Sequence, residues 1–162
     1  MAITLDVKRL STSQIGGLST AFGNLTTTQH GLFTTAQVSA LTATQIGNLT
    51  STELQAFSSA QANALTAKQV GSLTTTALGN FSTTQLTSLT TAQVQGLTTS
   101  QLNSLPTANL DILDITKLST GQIAGLSTTQ FSNLSTTQLN AFTSTQVKAM
   151  TPAEVSLLLS LT

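Results

Sequence analysis

Few residues in this chain could do chemistry. His30 is the single histidine, there is no cysteine, and the densest charged cluster is Asp111, Asp114 and Lys117 in "NLDILDITK". Paired carboxylates can perform acid–base work or hold a hard cation. A histidine can act as base or ligand when it has partners. His30 has no cysteine and few carboxylates to work with, so it reads first as a partly buried substitution where neighbouring units carry Ile, Val or Leu. The two aspartates and the lysine read first as caps that solvate an irregular bend. Serines and threonines abound, but a hydroxyl nucleophile needs an adjacent base, and one histidine cannot serve such an array. The expectation is a protein without catalytic, cofactor-binding or metal-binding residues, and not an enzyme.

The whole composition points the same way. Of 162 residues, 6% are charged, with five basic balancing five acidic residues, against about a quarter charged in ordinary soluble domains. Nothing here steers the chain toward nucleic acid or an anionic membrane. A net charge near zero also removes the repulsion that keeps copies apart, so self-association is expected. The start, "MAITLDVKRLSTSQ", lacks the basic and then apolar pattern of a signal peptide, and no run of about 18 apolar residues exists. The expectation is neither a membrane span nor export by an N-terminal signal.

The elements that must position these residues are set by a period of eight, [LF]-[ST]-[ST]-x-Q-[ILV]-x-x. It runs from Leu25 to Leu113 and again from Leu118 through Leu126, Leu134, Phe142 and Met150 to Leu158. Two units break the phase: seven residues at 18–24, "LSTAFGN", and five at 113–117, "LDITK". Internal repetition of this density implies a solenoid. Residues 10–157 are read as the solenoid, 1–9 as an N-terminal cap or arm, and 158–162 as an apolar C-terminal end. The alternation from Ile3 to Lys8 allows a short strand in the arm, which could also reach into a second copy.

Within each octad, Ser or Thr at the second position is followed three residues later by Gln at 13 places, and by Glu at Glu53 and Glu154. This is the capping box, in which hydroxyl and amide satisfy two exposed backbone N–H groups. A helix start every eight residues keeps each helix to one or two turns, and Gly at the seventh position, as in Gly47, Gly71 and Gly79, offers a positive-φ stop. Such helices are too short to stand alone. They must stack, burying first-position Leu or Phe and sixth-position Ile, Val or Leu at roughly 2 kcal/mol per side chain. Small eighth-position residues such as Ala40 and Ser72 would let units approach. The expected fold is all-α, a solenoid of very short helices. A β-solenoid is the alternative, because Thr favours strands, although positions one and six would then face opposite ways.

Two further patterns are by-products of the repeat. The N-x-[ST] matches at Asn24, Asn48, Asn80 and Asn133 arise wherever an eighth-position Asn precedes the next unit. Phe33, Phe57, Phe81 and Phe142 fill first positions and read as core, not as a stacking platform.

Octads such as "LTTAQVQG" and "LSTTQLNA" resemble the long Leu-Thr-Thr-x-Gln tracts of large bacterial secreted and cell-surface proteins of the adhesin-like kind, over about residues 10–157. The resemblance implies an extracellular structural role and export through a C-terminal signal, and it transfers no catalytic residue. This chain departs from those proteins in being short, with the repeat and two small ends, and the expectation of a separate ligand-binding module is weakened accordingly. The functional expectation is a self-assembling structural protein, a filament or surface-layer subunit whose partners are copies of itself. The alternative is a binding module or adhesin stalk whose hydroxyls meet a polysaccharide or an ice surface.

Overall fold

The computed structural model describes residues 6–18 and 20–161. Residues 1–5 of the expected arm, Ser19 of the seven-residue unit and Thr162 of the apolar end lie outside the described residues. Seventeen α-helices and three 3-10 helices follow one another with no strand among them, so the fold is the all-α solenoid and the β-solenoid alternative fails. Most helices have five or six residues, and the last, Pro152–Leu161, has ten.

One unit shows why. Thr90 takes extended backbone (φ −71°, ψ 162°) and its hydroxyl accepts the Gln93 N–H. The Gln93 Oε1 accepts the Thr90 N–H at 2.9 Å in return. The helix Thr91–Gly96 ends when Leu97 turns extended (φ −64°, ψ 135°) and gives its N–H to the Val94 carbonyl. First and second positions thus form a bend between successive helices. The side chain of the first position points into the core, and the hydroxyl of the second starts the next helix. Thirteen helices carry the complete box.

Three units make one coil. The helix Thr91–Gly96 packs on Ala67–Gly71, Thr83–Thr87 on Ser59–Asn63, and Thr75–Gly79 on Ser51–Gln55, each pair 24 residues apart. Inside run the first- and sixth-position side chains, such as Leu89, Val94, Leu97 and Leu102, all buried.

The glycines act differently from the expectation. No described residue, glycine or other, has a positive φ, because the first-position residue already ends the helix in extended backbone. Gly47, Gly71 and Gly96 are needed for close approach instead, whereas a Cβ on Gly79 would make ordinary contact with Pro106 at 3.5 Å. A Cβ on Gly71 would stand 2.5 Å from the Gly96 carbonyl oxygen, one on Gly47 would stand 2.9 Å from that of Ser72, and one on Gly96 would overlap the Ala67 backbone.

The five-residue unit is an octad lacking its third to fifth positions. Asp114 replaces the capping Ser or Thr, its carboxylate accepting from the Thr116 N–H, and Ile115–Lys117 forms a single 3-10 turn with Ile115 buried. The N-terminal segment is built alike: Asp6 caps the 3-10 turn Val7–Arg9, and Val7 is buried. Residues 6–9 therefore form a solenoid unit and not the strand that their alternation allows. At the other end, Pro152–Leu161 crosses the boundary at 157 as one continuous helix.

Candidate functional site

The fifth-position glutamines do more than cap. Gln93 is 2% exposed. While its Oε1 closes the box, its Nε2 donates to the Ala62 and Leu65 carbonyls of the coil beneath, at 2.9 and 2.7 Å. Gln101 does the same to Val70 and Leu73, and Gln85 to Leu54 and Phe57. Each amide thereby gives the first-position carbonyl of a bend, 28 residues back, its partner, and gives the sixth-position carbonyl, 31 residues back, a second donor beside the N–H of the bend itself. Buried polar groups left without partners cost about 1–3 kcal/mol each, so this ladder makes the bends compatible with a packed core.

The ladder tolerates some replacements. Lys117, in the unit that has lost its glutamine, sends its Nζ to the Leu89 carbonyl at 2.8 Å. Asn109 reaches the Gly79 carbonyl at 2.7 Å. In the unit of Gln130, the Ser127 N–H bonds Asn103 Oδ1 in place of the box, while Gln130 Nε2 still donates to Leu102 and Leu105.

At one corner it fails in two successive coils. Glu53 stands where the amide should donate to Phe22 and Leu25 (53 − 31 = 22 and 53 − 28 = 25), and Ala77 where it should donate to Ile46 and Leu49 (77 − 31 = 46 and 77 − 28 = 49). A carboxylate closes the capping box as well as an amide does, and Glu53 Oε2 accepts from Thr50 N at 2.7 Å and Thr50 Oγ1 at 2.8 Å. It has no N–H to give. Beside the Glu53 unit, where the units of residues 41–48 and 49–56 meet the seven-residue unit, a cleft of about 460 Å³ opens, lined by Phe22, Gly23, Thr42, Gln45, Leu49 and Glu53 among others.

His30 lies directly behind it. The histidine read as partly buried is fully buried, because its sixth-position side chain points into the core like the Val and Ile of other units. Its ring packs edge-on to Phe22 and Phe33, centroids 5.0 and 5.9 Å away. Nδ1 lies 3.1 Å from the Thr26 carbonyl oxygen, which can only accept, so Nδ1 carries the proton. Nε2 is buried with no hydrogen-bond partner. Burial holds the imidazole below its ordinary pKa of 6.5, and the Glu53 carboxylate and the Thr26 carbonyl oppose that shift without cancelling it. Glu53 Oε1 sits 3.6 Å from Nδ1, beyond hydrogen-bond length, so its charge is not neutralised by a neutral ring.

The residues singled out in the sequence are brought together only in part. Asp114 and Lys117 approach to 3.8 Å, while Asp111 is exposed on the preceding helix, Thr107–Ile112. They serve a cap and a ladder rung. The pairing of His30 with Glu53 escaped sequence reasoning, because it requires the three-unit coil that stacks the unit from Leu49 on the unit from Leu25. Glutamate in a glutamine column was the available signal. Among the described residues no group of three His, Asp or Glu side chains could hold a metal, and no helix is long and apolar enough to cross a membrane.

The ALTTAQ repeat family matches residues 108–144, a stretch that includes the five-residue unit. No curated protein and no solved structure matches the chain. The chain carries an ALTTAQ-type repeat tract on a helical solenoid, the architecture of a repeat-based structural or binding module.

Proposed function

We propose that this chain is a non-enzymatic, self-assembling structural protein, a subunit of an extracellular bacterial filament or surface layer. The observation that carries this reading is the ladder itself, because every coil offers the next one the same inward carbonyl pairs. Gln85, Gln93 and Gln101 each reach such a pair in the coil beneath, a contact that a second copy can repeat. A second copy whose coil packs on this one's would extend the ladder across a stacking surface by heterologous contacts that propagate. The helix Pro152–Leu161 adds apolar area to that surface, with Leu159 75% and Leu161 41% exposed. The balanced charge, the repeat match and the resemblance of the octads to adhesin-like tracts support the same role.

Negative-stain electron microscopy across a concentration series, with far-UV circular dichroism of the same samples, tests it. Uniform filaments with a helical spectrum are the expected result. Monodisperse particles at every concentration would refute it. A binding module is the second reading, favoured by third-position hydroxyls that the caps leave free. Thr75 and Thr99 are exposed on one face, and Thr83 and Thr107 on the next. Glycan binding or thermal hysteresis by the monomer would select that reading.

A further inference from the structure

We infer that the corner beside the seven-residue unit is a binding site for a small organic ammonium ion with an apolar body. Three observations converge there. Glu53 Oε1 receives no hydrogen bond from the described residues and lies 3.6 Å from the imidazole of His30, whose N–H already faces the Thr26 carbonyl at 3.1 Å. The bends at Phe22–Leu25 and Ile46–Leu49 lie in the register where other units place a glutamine amide, and Glu53 and Ala77 supply none. One residue of each bend, Phe22 and Leu49, and this carboxylate border the cleft of about 460 Å³. Acceptors are in excess there, because Gln45, which also lines the cleft, spends its amide N–H on the Ile15 carbonyl at 2.8 Å.

An ammonium group supplies the missing donors. It has N–H bonds for the carboxylate and for carbonyls, and it carries the charge that balances Glu53. The apolar part of such a ligand would rest on Phe22 and Leu49, while Thr42, Thr44 and Asn48 line the cleft with polar groups. A site with an apolar wall and a few polar groups of one kind matches how small molecules are held. Glu154 forms an informative contrast. It also replaces a glutamine and also leaves an oxygen without a partner, Oε1, but it is 2% exposed and does not line the cleft. The corner at Glu53 joins a carboxylate oxygen without a hydrogen bond from the described residues to a space of ligand size.

The test is a titration of the full chain with benzylammonium chloride, followed by backbone amide NMR shifts and repeated with benzyl alcohol as a neutral probe. Saturable shifts at Asn48, Leu49 and Glu53, with a dissociation constant on the order of 1 mM, are expected for the cation alone. Glu53→Gln restores the amide donor and should weaken binding at least tenfold without loss of fold. Ala77→Gln keeps the carboxylate and closes the second bend, and should also weaken binding. The inference is overturned by unsaturable shifts, by equal binding of benzyl alcohol, by unchanged binding in Glu53→Gln, or by tighter binding of calcium chloride at the same residues.

Discussion

Gln93 and Glu53 hold the same place in their units and make the same capping box, yet one side chain joins two coils and the other opens a cleft. The box needs only an acceptor, so Gln and Glu are equivalent there. The coil beneath needs a donor, and only the amide has one. Four bonds converge on the Gln93 side chain, two at Oε1 and two from Nε2, the latter at 2.9 and 2.7 Å, whereas Glu53 Oε1 has a histidine at 3.6 Å. The comparison separates two requirements that one residue type fulfils together: a local one that starts a helix, and a distant one that closes a bend.

The strongest way to break the comparison is Gln93→Glu. It keeps the box and sets a carboxylate against the Ala62 and Leu65 carbonyls inside a closed corner, where no cleft admits water. A loss of more than about 3 kcal/mol is expected in urea unfolding, since a buried charge without a donor costs more than a neutral group. Gly96→Ala should cost roughly 1–3 kcal/mol by overpacking, because its Cβ would meet the Ala67 backbone. The same measurement on Gly121→Ala, where a Cβ meets nothing within 4 Å, should show no such loss.

The reverse exchange sharpens the comparison. Glu53→Gln should stabilise the chain by about 1 kcal/mol, the net value of a buried hydrogen bond, read as a higher urea midpoint. The smallest effect concerns pH. Burial lowers the folded pKa of His30 from 6.5, so the unfolded chain takes up the proton first. His30 should therefore contribute its full stability above about pH 6.5 and lose it progressively as pH falls below that value. Thermal unfolding between pH 7 and 5 should show this decline, and His30→Val, which restores the residue type of neighbouring units, should reduce it.

Much of the fold was legible because its rules are local. The capping box spans four residues, the apolar positions recur every eight, and both follow from one reading of "LTTAQVQG". The number of units per coil was not legible, since it depends on how sharply Leu97 and its equivalents bend the chain. Without that number, residues 24 apart could not be paired. His30 stayed without its glutamate, and Gly71 received a conformational role in place of a steric one. One clue had been present throughout. A box that accepts Gln and Glu alike does not explain 13 glutamines against two glutamates; a second use for the amide N–H does.

The five-residue unit carries a consequence for how such a chain can change. It lacks three positions of an octad, yet Gln146 still donates to Ile115 and Leu118 as it would across a full unit. An in-frame loss of three codons from within a helix therefore leaves the bends before and after it in place, provided that a lysine like Lys117 can stand in for the departed amide. Genes made of near-identical tandem segments are prone to misaligned copying. A polypeptide whose coils survive a shortened unit can absorb that error as a change of length and keep its path.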